Sequence, residues 1–278
     1  MKIQKNKLCL YSSITPGRSS SREIIRAAGE YGLGGVELMS FCEELSTPNI
    51  GIARELGDMA RSLGLAMPCF SVFADIENKG NEELDRLSRY AEICAELGIP
   101  YLHHTVAPDL SAYSADLAER EERFLRSVDS LLHFNEFVRS LGVGILIEDQ
   151  GFMLNGVRNC RRIHEMSGGT VNILADLGNI MFVDETSESL VSELADMIRH
   201  VHIKDYEVSM APVPGKRNYR TSLGRYLNDT EIGTGNANVS SALGGLIGGG
   251  YGGMYSLEFA RVADGEVERV IMRLTEDT

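Results

Sequence analysis

The sequence predicts an α/β protein with the (β/α)8 TIM barrel fold, occupying residues 1–278 as one domain. Short apolar runs alternate with longer amphipathic segments, and this alternation repeats about eight times along the chain. A length of 278 residues suits one barrel, which needs roughly 250 residues. An open doubly wound sheet also alternates strands and helices, but eight repeats favour the closed barrel.

The predicted strands are short apolar runs rich in β-branched residues, as in buried parallel strands. Most of them follow one another at intervals of about 30 residues, the length of one strand and one helix, with longer insertions after the fourth and seventh. They are LCLYS from Leu8, GVELM from Gly35, AMPCFSV from Ala66, YLHHTV from Tyr101, GILIE from Gly144, VNILAD from Val171, HVHIKD from His200 and MYSLEF from Met254.

Four segments between these runs predict helices on the outside of the barrel. Their apolar residues return at steps of three and four, and glycine marks their ends. The segments are SREIIRAAGEYGLG, IARELGDMARSLGL, NEELDRLSRYAEICAELGI and ADLAEREERFLRSVDSLLHFNEFVRSLGV. The first βα turn, SSITPGRSSS, lacks the G-x-G-x-x-G motif of a dinucleotide-binding sheet, which again favours the barrel.

Composition and charge narrow the class of partner. Apolar residues make up 43% of the chain and charged residues 24%, as in an average globular protein. The formal net charge of −13 repels polyanions, which argues against nucleic acid or an anionic membrane as the partner. A small molecule is therefore the favoured ligand.

The cysteines and the amino terminus indicate a compartment. The five cysteines are odd in number and include no Cys-x-x-Cys pair, which is typical of a reducing environment and argues against structural zinc. The first residues, MKIQKNKLCLYSS, contain no apolar run of signal-peptide length, and no stretch approaches ~18 consecutive apolar residues. We expect a cytoplasmic protein.

Four polar residues end the last four predicted strands: Glu148, Asp176, His202 and Glu258. The carboxyl ends of the strands form the active site in this fold, so these side chains should converge. Three converging carboxylates repel one another unless a divalent cation lies between them. Oxygen and nitrogen ligands suit one ion of Mn²⁺, Mg²⁺, Co²⁺ or Zn²⁺. Each residue alone could be a helix cap or an ion-pair partner, but four equivalent positions favour a shared ligand.

These segments resemble the xylose isomerase-like barrels, a family that includes sugar phosphate isomerases, ketose 3-epimerases, inosose dehydratases and hydroxypyruvate isomerases. The resemblance covers nearly the whole chain, and it implies that the same four strand-end residues are the metal ligands. Its carriers are GGVEL at 34–38, IED at 147–149, DLGN at 176–179, HVHIKD at 200–205, EIGTGN at 231–236 and GGYGGMYSLEF at 249–259.

The resemblance also implies a reaction, the isomerisation or epimerisation of a sugar, a sugar phosphate or a related polyol. Glu148 and Glu258 would be proton acceptor and donor on opposite faces of the substrate. The metal would polarise a ketose carbonyl and stabilise the enediolate that forms. One alternative is a dehydratase of an inosose or related keto-polyol. Another is a non-catalytic sugar-binding barrel.

Five further residues are candidates for substrate contact: Lys204, Asn179, His103, Glu37 and Arg217. Lys204 ends the seventh strand, where an ion pair with Asp205 or Glu231 is the alternative to a substrate contact. For Glu37 the alternative is a salt bridge inside the barrel. Alternation lets only one residue of the pair 103–104 face the barrel, and His103 is the better inward candidate.

His200 shares the side of its strand with His202, and we expect it one layer deeper in the barrel, as a residue that supports the ligands. The insertion at 206–230 carries Lys216, Arg217, Arg220 and Arg225 in an otherwise acidic chain. It could be a lid whose cations bind a phosphate or carboxylate, a solvated surface loop, or a subunit contact. The apolar stretch GLIGGGYGG is compatible with a homo-oligomer.

Two motifs depart from the family pattern. Many epimerases carry Asp-x-x-His on the sixth strand, whereas here Asn179 follows Asp176 at that spacing. The fifth-strand motif Glu-Asn-His is replaced by Glu148, Asp149 and Gln150. These changes leave the ketose specificity open. The multi-zinc DNA-repair branch needs more histidines than this chain offers, because two of its six lie in predicted helices.

Overall fold

The computed structural model describes residues 2–11, 20–107, 116–259, 263 and 265–275. The strands are β1 Leu8–Leu10, β2 Gly35–Val36, β3 Leu38–Met39, β4 Phe70–Val72, β5 Tyr101–His104, β6 Gly144–Glu148, β7 Val171–Asp176, β8 Ile198–Ile203, β9 Tyr206–Ser209, β10 Asn218–Arg220, β11 Tyr226–Asp229 and β12 Tyr255–Leu257. The α-helices are α1 Ser21–Glu30, α2 Ile50–Ser62, α3 Ile76–Lys79, α4 Asn81–Leu97, α5 Leu117–Ser140, α6 Val157–Met166, α7 Ser187–Leu194, α8 Val239–Gly248 and α9 Glu266–Leu274. Short 3-10 helices lie at Lys5–Lys7, Glu43–Leu45, Asn179–Val183 and Ala195–Met197.

Nine of these strands form one parallel sheet in the order β2-β1-β12-β8-β7-β6-β5-β4-β3. Only Glu37 separates β2 from β3, so the two ends of this order are halves of one interrupted strand and the sheet closes on itself. The first half pairs with β1, where Cys9 lies opposite Gly35, and the second with β4, where Leu38 lies opposite Phe70. The predicted TIM barrel is confirmed, and each of the eight predicted runs contributes a strand to it.

The outer helices begin where side chains cap them. Asn49 accepts the backbone N–H of Ile52 and starts α2 two residues before the predicted segment. Asp116 accepts the N–H groups of Ala118 and Glu119 at the start of α5. Residues 12–19 of the first βα turn lie outside the described residues. Within the described part of the chain, no helix is long and apolar enough to cross a membrane.

Alternation along β5 sends its two histidines to opposite faces, as predicted. His103 points into the barrel, where its Nδ1 lies 2.7 Å from Oγ of Ser71. His104 points outward: its ring packs edge-on against Phe134 of α5, with centroids 5.5 Å apart. Its Nδ1 lies 3.0 Å from the carbonyl oxygen of Thr105, which therefore accepts a hydrogen bond from it. Burial in this layer lowers the pKa of His104 to about 4.

The buried His104 should make the protein less stable in mild acid. A histidine in the unfolded chain has a pKa of about 6.5. Between that pH and about 4, the unfolded chain therefore binds a proton at His104 that the folded chain does not bind. Between pH 7 and pH 5 the wild-type protein should lose about 2 kcal/mol of unfolding free energy that the His104→Gln variant keeps. Urea unfolding of both proteins at the two pH values measures it. Parallel losses in the two proteins would contradict the assignment.

The insertion at 206–230 folds as a three-stranded antiparallel sheet in the order β10-β11-β9, which we call the flap. Asp184 anchors it, because its carboxylate accepts hydrogen bonds from Oγ of Ser222, at 2.7 Å, and from Nε of Arg225, at 2.8 Å. Phe182 packs against Tyr206 and Tyr219 with centroids 5.8 and 5.5 Å away. Arg225 is therefore an anchor of the flap and not a cation facing a ligand.

Candidate functional site

The four predicted strand-end residues come together at the mouth of the barrel. Glu148 ends β6, Asp176 ends β7, His202 lies near the end of β8, and Glu258 follows β12 directly. Because β6, β7, β8 and β12 are neighbours in the parallel sheet, their carboxyl ends lie side by side. One nitrogen or oxygen atom from each residue lies within 4.8 Å of the corresponding atoms of the other three. We call these four residues the acidic cluster.

Two atoms of the acidic cluster lack the hydrogen bonds that burial demands. Nδ1 of His202 and Oδ2 of Asp176 are buried and make no hydrogen bond of normal geometry with the described residues, although Oε2 of Glu258 lies 2.9 Å from the first and Nζ of Lys204 lies 3.9 Å from the second. Leaving such atoms unsatisfied away from water costs free energy, which a bound ion would recover. Three carboxylates and one imidazole are a ligand set that a divalent cation accepts. The residues present therefore fit a single metal ion.

The pKa directions inside the acidic cluster show how its charges are distributed. Burial, with smaller contributions from the charges of Glu258 and Glu148, raises the pKa of Asp176 well above its usual range. Burial also favours the acid form of the two glutamates, but contacts with neighbouring side chains outweigh it. Lys204 and His202 hold the pKa of Glu258 below its usual range, and His103 does the same for Glu148. Both glutamates are thus ionised near neutral pH.

Lys204 pairs inside the site. Its Nζ lies 2.5 Å from Oε1 of Glu258 and 3.9 Å from Oδ2 of Asp176. The alternative pairing with Asp205 or Glu231 is wrong, because both acids have other partners. Glu231 pairs with two arginines of α9, and Asp205 is used by the backbone.

The carboxylate of Asp205 organises the loop that precedes α8. Oδ1 accepts the N–H groups of Tyr206 and Ala237 at 2.9 and 3.0 Å. Oδ2 accepts those of Gly233 and Gly235 at 3.0 and 2.8 Å. A Cβ at Gly235 would collide with this carboxylate and with the carbonyl oxygen of Tyr206, so the close approach requires glycine there.

A cleft of about 210 Å³ opens beside the acidic cluster. Its lining includes Lys204 and Glu258, and Lys216 and Arg217 of the flap. Nη1 of Arg217 lies 2.9 Å from the hydroxyl of Tyr219. Glu148 borders a second, smaller cavity together with Gln150 and Phe152. The two glutamates thus line different cavities.

Two candidates for substrate contact instead support Glu148. The Nδ2 amide of Asn179 donates to Oε1 of Glu148 at 2.7 Å, and the side chain is 3% exposed. Nε2 of His103 lies 3.2 Å from Oε2 of the same glutamate. A glutamate held on both oxygens keeps a single orientation. The structure therefore places Asn179 and His103 beside Glu148 and away from the open cleft.

Glu37 and His200 lie one layer below the acidic cluster. Nε2 of His200 is 2.8 Å from Oε2 of Glu37, and both side chains are buried. His200 has the deeper position expected for it. Glu37 lies in a barrel-interior ion pair, the alternative given for it, and its side chain is completely enclosed.

Sequence reasoning missed Tyr11, the second-last residue of the first predicted strand. Its ring stacks on that of His202, with centroids 4.5 Å apart and planes inclined by 29°. Burial, with the nearby charge of Glu258, raises the pKa of Tyr11 well above its usual range and keeps the phenol neutral. The signal in the sequence is the tyrosine of LCLYS, a polar aromatic residue close to the carboxyl end of a predicted barrel strand.

Comparisons with known proteins match this geometry to a known fold. The family model described as xylose isomerase-like TIM barrel matches residues 25–273. Among curated protein sequences, none matches the chain.

Several solved structures superpose on most of the chain. A 3-keto-D-glucoside 4-epimerase from E. coli is 16% identical, with 95% of this chain and 96% of that one covered and a TM-score of 0.71. A probable 3-DHS dehydratase from Bacillus anthracis is 15% identical, with 98% and 100% covered and a TM-score of 0.72. A xylose isomerase-like TIM barrel protein from Mycobacterium smegmatis, in complex with magnesium, is 15% identical, with 91% and 88% covered and a TM-score of 0.68. At these identities the likeness concerns the fold.

Proposed function

The chain belongs to the xylose isomerase-like TIM barrel family, and from that premise we propose that it is a divalent-metal-dependent isomerase or epimerase of a small sugar or sugar phosphate. The acidic cluster carries this proposal, because one ligand atom from each of its four residues lies within 4.8 Å of the others. The epimerase and the magnesium-containing protein among the structural neighbours support the same class.

One cation would be held by Glu148, Asp176, His202 and Glu258, with Mn²⁺, Mg²⁺, Co²⁺ and Zn²⁺ as candidates. When bound, it supplies polarisation of a substrate carbonyl, which acidifies the neighbouring C–H bond. The protein contributes the two bases for that C–H bond. Glu148 on β6 and Glu258 after β12 stand on either side of β7 and β8, as removal and return of a proton on opposite faces requires.

The neighbours of each glutamate suit a proton-transfer role. His103 and Asn179 orient Glu148 and favour its ionised form, so it can accept a proton from carbon. On the other side, Lys204 contacts Glu258 and can share a hydrogen bond with a substrate oxygen in the cleft. Arg217, which also lines the cleft, would bind a distal oxygen or an anionic group of the substrate.

The first test is a calorimetric titration of Mn²⁺ into chelator-stripped protein. We expect binding to one site, with Asp176→Asn weakening it by at least about 100-fold. Asparagine retains an oxygen that can accept the N–H groups of Gly178 and Asn179 at Oδ1, so the loss falls on the orphaned Oδ2.

Asp129→Asn is the matched control, because that carboxylate is 77% exposed on α5 and far from the site. It should bind Mn²⁺ like the wild-type protein. Specific binding that Asp176→Asn leaves unchanged, or no specific binding by the wild-type protein, would show that the acidic cluster is structural.

A further inference from the structure

Glu37 occupies the break between β2 and β3. Its backbone N–H donates to the carbonyl oxygen of Leu10 at 3.1 Å, just where the pairing of this strand passes from β1 to β4. The side chain points into the barrel beneath the acidic cluster and is 0% exposed. A glutamate so placed must have partners for both oxygens, since an unpaired buried carboxylate is strongly unfavourable.

Both oxygens of Glu37 are fully engaged. Oε1 accepts the hydroxyl of Ser71 from β4, and Oε2 accepts that of Ser256 from β12, each at 2.5 Å. Nε2 of His200 and Nε2 of His202, both from β8, lie 2.8 and 3.0 Å from Oε2. Four side-chain donors therefore converge on the two oxygens of this carboxylate. Glu37 is thus an acceptor held by three strands.

A carboxylate surrounded by donors accepts from each of them, so Nε2 of His202 carries a hydrogen. Nδ1 points the other way and lies 2.9 Å from Oε2 of Glu258. It makes no hydrogen bond of normal geometry with the described residues. In a ring bound to a cation, Nδ1 would be the unprotonated nitrogen and would present its lone pair to the acidic cluster.

A second series of contacts leads from Glu37 to Glu148, another residue of the acidic cluster. The single hydroxyl hydrogen of Ser71 goes to Glu37, so Ser71 must accept a hydrogen bond from Nδ1 of His103 at 2.7 Å. This bond turns Nε2 of His103 toward Glu148, at 3.2 Å. Glu37 thereby orients His202 on β8 directly. It orients Glu148 on β6 through Ser71 and His103.

We propose that Glu37 is a positioning residue that fixes the tautomer and orientation of His202 and so sets the metal affinity of the acidic cluster. The inference rests on the proposed metal site and adds a role for a residue that touches neither metal nor substrate. Glu37, His200 and His202 could instead form a metal site themselves, since their ligand atoms also lie within 4.8 Å of one another. The four donors already directed at Glu37 argue against this.

The test is Mn²⁺ calorimetry on Glu37→Gln in the full-length protein. Glutamine replaces one acceptor oxygen with a donor, which conflicts with the donors of Ser71 or of Ser256 and His200. We expect one Mn²⁺ per chain and an affinity lowered roughly 10- to 100-fold. Glu83→Gln is the matched control: Glu83 is another buried glutamate, 3% exposed, whose partner is Arg86. It should lower Tm but keep the wild-type Mn²⁺ affinity.

The second measurement reports on the protonation of the imidazole ring of His202. In Mg²⁺-loaded protein with ¹⁵N-labelled histidine, long-range ¹H–¹⁵N spectra should show His202 protonated at Nε2 in the wild type, and that signature should be weakened or mixed in Glu37→Gln. A wild-type ring protonated at Nδ1 overturns the inference. The inference is also overturned if Glu37→Gln binds Mn²⁺ with wild-type affinity, whatever its Tm. Two Mn²⁺ ions per wild-type chain would overturn it as well.

Ser256→Ala keeps the test open if Glu37→Gln does not fold. It removes one donor to Glu37 and should lower Mn²⁺ affinity several-fold, whereas an unchanged affinity overturns the inference. The two proposals fail differently. If the wild-type protein binds no Mn²⁺, the proposed function falls and this inference with it. If the wild type binds and the Glu37 and Ser256 variants bind equally well, only the inference falls.

Discussion

Glu148→Gln and Glu258→Gln are each expected to lower turnover by roughly 10²- to 10⁴-fold. Each removes one of two bases, and an amide cannot accept a proton from carbon at neutral pH. The measurement is a deuterium-exchange screen in D₂O over ketoses, inososes and their phosphates, followed by product analysis. Glu122→Gln, a carboxylate 70% exposed on α5, is the matched control and should keep wild-type activity.

The two variants should also differ from each other. The variant that keeps the abstracting base should still exchange the substrate C–H with solvent on one face, without inversion. The variant that lacks this base should exchange nothing. Loss of water from the substrate in the wild-type reaction would identify a dehydratase in place of an epimerase. Full exchange and full turnover in both variants would rule out Glu148 and Glu258 as the acid–base pair.

Asp205→Ala is expected to destabilise the protein by about 4 kcal/mol. The carboxylate is 3% exposed and accepts four backbone N–H groups, from Tyr206, Gly233, Gly235 and Ala237. Alanine leaves these donors unsatisfied and frees the loop before α8, which borders the cleft. Urea-induced unfolding measures the change in free energy.

Glu207→Ala separates this effect from the loss of any nearby charge. Glu207 lies two residues further on, is 53% exposed and pairs only on the surface, with Lys216 among the described contacts. Exposed pairs of this kind contribute at most about 1 kcal/mol, so the control should unfold almost like the wild type. Equal destabilisation of the two variants would contradict the role assigned to Asp205.

The fold and the acidic cluster were predictable because both follow from repetition. Apolar runs of strand length mark the barrel strands whatever their detailed packing, and residues that end neighbouring parallel strands must converge. Glu148, Asp176, His202 and Glu258 were found in this way, without knowledge of any distance. The inward direction of His103 followed from the alternation of side chains along a strand.

The hydrogen-bonding partners of individual side chains were not predictable, because they depend on the register between strands and on the backbone conformation of the loops. Lys204 reaches Glu258 across from β8 and not the acids closer in sequence. Asp205 accepts hydrogen bonds from backbone N–H groups, and the residue types in the sequence do not indicate such contacts. GVELM reads as one continuous strand, whereas in the structure its pairing passes from β1 to β4 at Glu37.

The hydrogen bonds of Glu37 also impose an order of events on the nascent chain. Its partners His200 and Ser256 lie 163 and 219 residues further along the sequence. Closing loops of that size is entropically costly, and contacts across them form late. While the ribosome is still synthesising the region of β12, the glutamate lacks Ser256 and the barrel has an open seam. A ligand that recognises the completed acidic cluster would therefore bind only after the last strand has emerged, and would stabilise the finished barrel selectively.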